Sequence, residues 1–467
     1  NIAFTKKGVP EGVDLFKSNI NADAEYTFMT SGIYAYNCTP HYGLGMIAFV
    51  VVDNDLSNFD QVAKIKYPGK SKKLAKALLE QIKNKRSETK FILSALFRKL
   101  FEIDNIIDQL TDKNISPRNI MVRNCIRIAL IELIDLERPA YAVINSWVEI
   151  AKNKKRLMHF SKLINAILRK FLKDNTKSNL AVSKKIPSWL WNSWSNTYGK
   201  TIANKIIEAS LIEPPLDISY VDQENNFLQL QNTLPGSFRL KNPGKVDEIE
   251  GFKEGKWWVQ DSGATIPVNI LGDVNNRKVL DLCSAPGGKA MQLLAKGANV
   301  TCIEISKKRV ETMKKNFRRT KLKPEIICAD ILKWGSDKKY DFILLDAPCS
   351  ATGTIRKNPD LIHIKDQNDL KKNIHLQKQL LQCAYNFLNI NGVLVYCVCS
   401  LEIEEGEDQI EAFLAENVAM SLMPIEENAF PEYRNFIKPN GYLRTLPHLQ
   451  VDGGIDGFFI SKLYKKF

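Results

Sequence analysis

From residue 278 onward, apolar runs of strand length alternate with helical periods, and that rhythm admits few folds. Strands are expected at Lys278–Leu282, Asn299–Ile303, Glu325–Cys328, Tyr340–Leu345 and Gly392–Val398. Helices are expected at Lys289–Lys296, Lys307–Arg319, Leu370–Leu388 and Glu405–Glu416. Strands separated by helices pair in parallel, with helices covering the sheet. All strand ends then share one edge, and that edge is where such sheets bind ligands. A closing hairpin is expected over Leu443–Thr445 and Gly457–Tyr464.

The upstream chain has other textures. Residues 1 to about 65 read as β, in runs such as Glu25–Met29, Gly32–Tyr36 and Met46–Val52. From Ser71 a helical period takes over, with Phe91, Leu93, Leu96, Phe97, Leu100 and Phe101 on one stripe. Further helices are expected over Arg118–Leu136, Ala140–Lys152 and Phe160–Phe171, punctuated by Pro117 and Pro139. Asn175 to Pro187 reads as a linker, and 188–256 as a small α+β unit with a strand at Leu216–Tyr220. The 467 residues suffice for these parts, at roughly two to four domains.

Lys and Arg number 66 against 52 acids, a formal charge of +14. That balance suits a polyanion such as nucleic acid, or plain solubility, and composition does not choose between them. The nine cysteines show no disulfide framework and no CxxC pair, so free thiols in a reducing, cytoplasmic setting are expected and structural zinc is not. The longest apolar run, Gly43 to Val52, is too short to span a bilayer. No membrane partner is expected, and a monomer is.

Chemistry gathers at the expected strand ends. The first strand runs into Cys283-Ser284-Ala285-Pro286-Gly287-Gly288-Lys289, where the glycines allow a tight turn and Lys289 opens a helix. A helix start suits a carboxylate, and the methionine part of S-adenosyl-L-methionine carries one. Glu304 can accept from ribose hydroxyls, and Asp330 from the adenine amine. The turn lacks both GxGxxG and the phosphate-loop signature.

Cys349, in Asp346-Ala-Pro-Cys, and Cys399, in Tyr396-Cys-Val-Cys-Ser, end the next two strands. Cytosine becomes nucleophilic at C5 when a thiolate adds to C6, and a second thiol can assist release. Asp346 can bond the N4 amine and a protonated N3. Cys125, Cys302, Cys328 and Cys383 read as inert buried thiols.

Asp281–Lys289, Asp346–Gly353 and Tyr396–Ser400 resemble the cofactor loop and motifs IV and VI of RNA (cytosine-5) methyltransferases. The resemblance to the bacterial RsmB (Sun, Fmu) 16S rRNA enzymes is close and runs from about Ser87 to the end. Val259–Ala264 and Asp456–Phe459 also look like its signatures, whereas Val398 departs from the usual Thr. The likeness implies Cys399 as nucleophile, Cys349 in release, Cys283–Lys289, Glu304, Asp330 and Asp346 around S-adenosyl-L-methionine, and small-subunit ribosomal RNA as partner. The implied fold is multi-domain, a Rossmann-like α/β methyltransferase domain (257–467) after an all-α NusB-like domain (84–175) and a small RNA-handling domain (176–256). Ala140–Asn145 and Leu163–Lys170 carry the NusB likeness. Arg118, Arg123, Arg127, Lys152, Lys154, Lys155, Arg156 and Arg169 suggest phosphate docking or a solvated helix face.

Residues 1–83 resemble the C-terminal half of pseudoazurin, with Cys38, His41 and Met46 at blue-copper spacing. That family's second His would directly precede Asn1, so no working copper site is expected and these read as vestigial ligands. The start reads as missing, and the segment as a join between two truncated genes. Two other readings stand beside the enzyme, a copper electron carrier and an inactive RNA-binding module.

Overall fold

The computed structural model describes every residue except 1, 6, 19–25, 40–45, 53–56, 113, 223–227, 229, 241–243 and 450–452, and the side chains of 83–87. The chain divides into two compact units, residues 1–95 with 131–138, and residues 96–130 with 139–467.

In the first unit, β1 (Ile2–Phe4), β2 (Gly32–Cys38) and β3 (Ile47–Val52) form an antiparallel sheet in that order. Phe4 and Tyr34 pack with Phe16, Tyr26 and Phe28 on one face. The other face, Ile33 and Ala35, meets Val62 of α1 (Phe59–Ala63) and Leu79 of α2 (Ser71–Leu110). The strand expected over Glu25–Met29 is not formed at Tyr26–Met29, and Glu25 lies outside the described residues. The alternation there sends Tyr26 and Phe28 into the aromatic cluster with no ladder partner. Helix α2 runs unbroken for 40 residues, because 71–110 holds neither Gly nor Pro. The boundary expected at residue 84 therefore falls inside a helix.

The second unit begins helically. Ile103, Ile106, Ile107 and Leu110 form a buried stripe on α2, and Val122, Ile126, Ala129 and Leu130 another on α3 (Ile120–Ile134). α4 (Ala140–Asn153) and α5 (Ser161–Asp174) follow. Arg123 pairs with Asp104 and Asp108, each at 2.9 Å, and Arg127 with Asp104 at 2.5 Å. These two arginines are part of the helical packing. Lys152, Lys154, Lys155 and Arg156 remain exposed.

Next come α6 (Ser188–Tyr198) and α7 (Lys200–Ser210), packed around buried Trp194. β4 (Leu216–Tyr220), β5 (Gln231–Leu234), β6 (Ser237–Leu240) and β7 (Trp257–Val259) form a sheet in the order β5-β6-β4-β7. β7 lies past the boundary expected at 256 and still pairs with β4.

The large sheet follows α8 (Ser262–Leu271). Its strands and helices are β8 (Lys278–Leu282), α9 (Gly288–Ala295), β9 (Asn299–Glu304), α10 (Lys307–Thr320), β10 (Glu325–Cys328), β11 (Tyr340–Asp346), α11 (Leu361–Ile364), α12 (Gln367–Phe387), β12 (Leu388–Val398), α13 (Glu407–Glu416), β13 (Met420–Leu422), β14 (Leu443–Thr445) and β15 (Phe458–Lys465). The order is β10-β9-β8-β11-β12-β15-β13, with β14 also on β15. β8 to β12 are mutually parallel, and β15 is antiparallel to β12. Period-two alternation buries both faces. Val279, Leu344, Val395 and Cys397 join the core on the α8–α10 side. Leu280, Leu282, Ile343, Leu394 and Tyr396 join the one on the α12–α13 side.

A buried ion pair fastens the small sheet to α8. Asp217 receives two bonds from Arg239, at 2.7 and 2.8 Å, and one from the Ser262 amide at 3.2 Å. Removing one member of such a pair leaves the other charge buried. Asp217→Ala is expected to lower stability by about 3–5 kcal/mol, read as a reduced urea midpoint at unchanged slope.

Candidate active site

β8 ends in a turn whose backbone is set by two residues in the left-handed region, Cys283 at φ 60° and Gly287 at φ 102°. A Cβ at Gly287 would lie 3.1 Å from Met313 Cγ and 3.3 Å from Phe317 Cζ. Glycine is required there both for its conformation and for space. The Gly287 amide donates to the Ser284 carbonyl at 2.8 Å, and α9 starts at Gly288. Ala285 is buried and Pro286 exposed beside it.

Carboxylates converge on this turn. Asp281 is buried, and neither carboxylate oxygen has a hydrogen-bond partner. Burial, reinforced by the Asp346 charge, raises its pKa to about 7. Glu304, at the end of β9, accepts the Ser306 amide at 2.9 Å and ion-pairs with Arg309 at 3.0 Å. Arg309 also donates to the Ala285 carbonyl, so one guanidinium spans the turn and the carboxylate. The sequence reading missed Arg309, although its place one turn into the helix after Glu304 was visible. Asp330 lies past β10, half-buried, and accepts the Leu332 amide at 3.1 Å. Burial first, then Asp346, pushes the Cys283 thiol far up.

Asp346, at the end of β11, is ion-paired with Lys289 at 2.7 Å. Burial works to strip the Lys289 proton, but Asp346 outweighs it and holds the ammonium charged. The register of β11 on β12 sets Asp346 opposite Cys397, whose thiol lies 3.5 Å from the Asp346 carboxylate. Cys349 is three residues past Asp346 and Cys399 two past Cys397, so the parallel pairing carries both to the same sheet end. Their sulfurs are 3.5 Å apart. The hydrogen bond with Cys399, then burial, pushes the Cys349 thiol well above its usual range.

Polar groups fix this spacing. Glu405, fully buried, accepts the Ser350 amide at 2.9 Å and its hydroxyl at 2.5 Å. Ser350 Oγ lies 3.0 Å from Ser400 Oγ. Gln377 donates to Glu405 at 3.1 Å and to the Pro348 carbonyl at 2.8 Å. The Gly353 amide donates to the Cys399 carbonyl at 3.0 Å, and the Gly457 amide to the Gly353 carbonyl at 2.8 Å. A Cβ on Gly353 would lie 2.0 Å from the Gly457 carbonyl oxygen.

The two sequence signatures meet behind this loop, where Asp261 and Asp456 both pair with Lys357, and Asp456 with Arg356 at 3.1 Å. From the other side, Trp194 donates to Glu402 at 2.9 Å, Tyr198 to the Leu401 carbonyl at 2.5 Å and Arg444 to the Ser400 carbonyl at 3.0 Å. Trp194, Tyr198 and Arg444 were not legible as site supports, since nothing in their spacing ties them to residue 400.

The remaining candidates lie elsewhere. Cys125 and Cys302 are buried and Cys383 is half-buried, but Cys328 is exposed, which corrects its reading as a buried thiol. The last turn of β10 pairs on one side only, at the sheet edge, and leaves Cys328 open. In the first unit the Cys38 amide donates to the Met46 carbonyl at 3.0 Å and Met46 is exposed. His41 lies outside the described residues. Among the described residues no cluster of three or more His, Cys, Asp or Glu could hold a metal. None of their helices is long and apolar enough to cross a membrane.

Residues 268–464 match the family model of the 16S rRNA methyltransferase RsmB/F, 51–173 that of the NusB family, and 1–53 that of copper binding proteins of the plastocyanin/azurin family. The chain is 32% identical over 395 residues to ribosomal RNA small subunit methyltransferase B of Pasteurella multocida, covering 79% of this chain and 85% of that protein. To the protein of the same name from Proteus mirabilis it is 31% identical over 424 residues, covering 84% and 94%. In fold it is similar to the crystal structure of PH0851, with TM-score 0.69 at 21% identity over 84% of this chain and 94% of that one. It is also similar to NSun6 from Pyrococcus horikoshii, solved with SFG, with TM-score 0.52 at 21% identity over 60% and 98%.

The glycine turn, the helix start at Gly288 and the buried carboxylates Asp281 and Glu304 fit an amino-acid carboxylate, a sulfonium and ribose hydroxyls. The cofactor is S-adenosyl-L-methionine. The Rossmann-like domain, the NusB-like helices and the partial cupredoxin segment are all present, and the chain belongs to the ribosomal RNA small subunit methyltransferase B family.

Proposed function

We propose that this protein methylates C5 of a cytosine in small-subunit ribosomal RNA through a covalent Cys399–C6 adduct. The observation that carries this reading is the pair of sulfurs 3.5 Å apart beside the Asp346–Lys289 ion pair, at the cofactor end of the sheet. In this reading residues 257–467 carry out the transfer, 84–175 and 176–256 hold RNA, 1–83 takes no part, and the protein works in the cytoplasm as a monomer.

The target cytosine is flipped out of its stack to reach the cleft. Asp346, oriented by Lys289, accepts from the N4 amine and from a proton held on N3, which draws electrons from the ring. Cys399 gives up its proton to solvent, and the thiolate forms the S–C6 bond as the C5=C6 pair moves toward C5. When bound, S-adenosyl-L-methionine supplies the methyl group that C5 takes up. C5 then loses its proton to solvent with the neutral Cys349 thiol alongside, the C5=C6 bond re-forms, the Cys399 sulfur leaves with its electron pair, and N3 gives up its added proton. The raised pKa of Cys349 supports its role as the protonated partner. DNA cytosine-5 enzymes use the Pro-Cys cysteine as nucleophile instead, and the roles of the two thiols separate the classes.

Cys349→Ala is expected to accumulate a protein–RNA adduct that survives denaturing electrophoresis. Cys399→Ala should form none and transfer methyl at below about a thousandth of the wild-type rate. An adduct with Cys399→Ala alone would reverse the roles. Labelled cofactor with unmodified small-subunit rRNA, followed by mapping of the methylated base, tests the reaction itself.

A pH effect follows from Asp281. Its folded pKa, about 7, lies above the ordinary carboxylate value of 3.8. The folded state therefore holds a proton that the unfolded state loses, and stability falls as pH rises from about 4 to 7. Asp281→Asn should remove this part of the slope, seen by comparing urea midpoints of the two proteins at pH 4.5, 6 and 8.

A further inference from the structure

α10 and the segment after it are unusually cationic. Residues 307–323 hold nine Lys or Arg and one acid, Glu311. Arg309 faces Glu304, and Arg319 lies over the Phe252 ring. Lys307, Lys314 and Arg318 recur at spacings of seven and four, which puts them on one exposed helix face, and exposed Lys321 follows as the C-cap. Lys314, Arg318, Lys321 and Lys323 line an open groove of about 750 Å³ whose floor includes Phe317, Leu322 and Ile326, and the one acid that lines it, Glu311, is ion-paired with Lys314 at 2.9 Å, which leaves a net positive rim. Cations in a last helical turn can simply answer the helix dipole. Lys321, the C-cap, can answer it too, whereas Lys323 lies three residues past the last helical residue, Thr320, and adds charge beyond what the dipole asks for.

The groove is remote from the thiols. α10 connects parallel strands β9 and β10, so it must run back across the sheet. Its 14 residues span about 21 Å, and the groove lies at the end away from Glu304.

We propose that this groove is an RNA-docking surface, which grips the phosphate backbone of the substrate at a site remote from the target base. The proposal rests on the reading of ribosomal RNA as substrate. Charge complementarity favours a polyanion, and the apolar floor offers contact to sugars and base faces between the charges. Backbone grip of this kind positions the substrate without reading its sequence.

The test replaces Lys314, Arg318 and Lys323 together by Glu, and in a second variant by Gln, which spares the fold if reversal does not. Expected is a KM for full-length small-subunit rRNA at least tenfold higher for the Glu variant. The slope of log affinity against log salt should flatten by about two to three in both variants. Cofactor binding and transfer to a short fragment around the mapped cytosine should stay at wild-type levels. Unchanged KM and salt slope in both variants would overturn the proposal. So would an equal loss on the short fragment, which would place the effect in the fold or the thiol site. A loss confined to protein-bearing ribosomal particles would point to an acidic protein partner and also count against it. If the wild-type chain transfers no methyl group to rRNA, the substrate reading fails, and direct rRNA binding by wild type and variants still decides whether the groove holds RNA.

Discussion

A single buried carboxylate, Glu405, holds the reactive end of the sheet together. It accepts both the amide and the hydroxyl of Ser350, one residue from Cys349, and Ser350 in turn meets Ser400, one residue from Cys399. A buried charge is tolerated only when such donors satisfy it. Loss of Glu405 would leave the two loops, whose sulfurs lie 3.5 Å apart, tied only by neutral bonds such as Ser350 to Ser400 and the Gly353 amide to the Cys399 carbonyl. Removal of the apolar core around them would unfold the domain, but the core alone could not set that distance.

Two other charged groups complete the pattern. Lys289, in the first turn of the helix after the glycine turn, reaches Asp346 on β11, the strand beside β8, and so joins the ends of two neighbouring strands. Arg309 ties Glu304 to the Ala285 carbonyl on the opposite side of the turn. The cleft is thus built from alternating charges on rigid strand ends, an environment whose dipoles are set before a substrate arrives. Buried Asp281 is the exception, since burial and the nearby Asp346 charge raise its pKa to about 7. The small domain adds Trp194 and Tyr198 from behind the Cys399 loop, so it supports the site as well as any RNA it handles.

Much of this was legible in the residues. The strands Lys278–Leu282 and Glu325–Cys328 were read at their true limits, because these short apolar runs with β-branched residues start just after Asn275-Asn276-Arg277 and Pro324, which leaves little choice. The basic helical face was only partly legible. Arg123 and Arg127 read as phosphate docking or a solvated helix face, but they pair with Asp104 and Asp108 on a neighbouring helix. Charge type is written in the sequence, whereas the partner that neutralises it comes from another segment. At residue 84, where the likeness passes from one family to the other, local propensity continues a helix, because Ser71–Leu110 holds neither Gly nor Pro.

The sequence by itself determined the alternation of strand and helix, the glycine turn, and the placement of Asp346 at a strand end with Cys349 and Cys399 just after strands, because these follow from local periodicity and short-range sterics. Tertiary structure decided that Asp346 faces Cys397 across the β11–β12 register, that the sulfurs meet, and that Arg309, Trp194, Glu405 and Arg444 support them. Those contacts join residues tens to hundreds of positions apart. No local pattern encodes them, and only the packing of the sheet fixes which distant side chains share one edge.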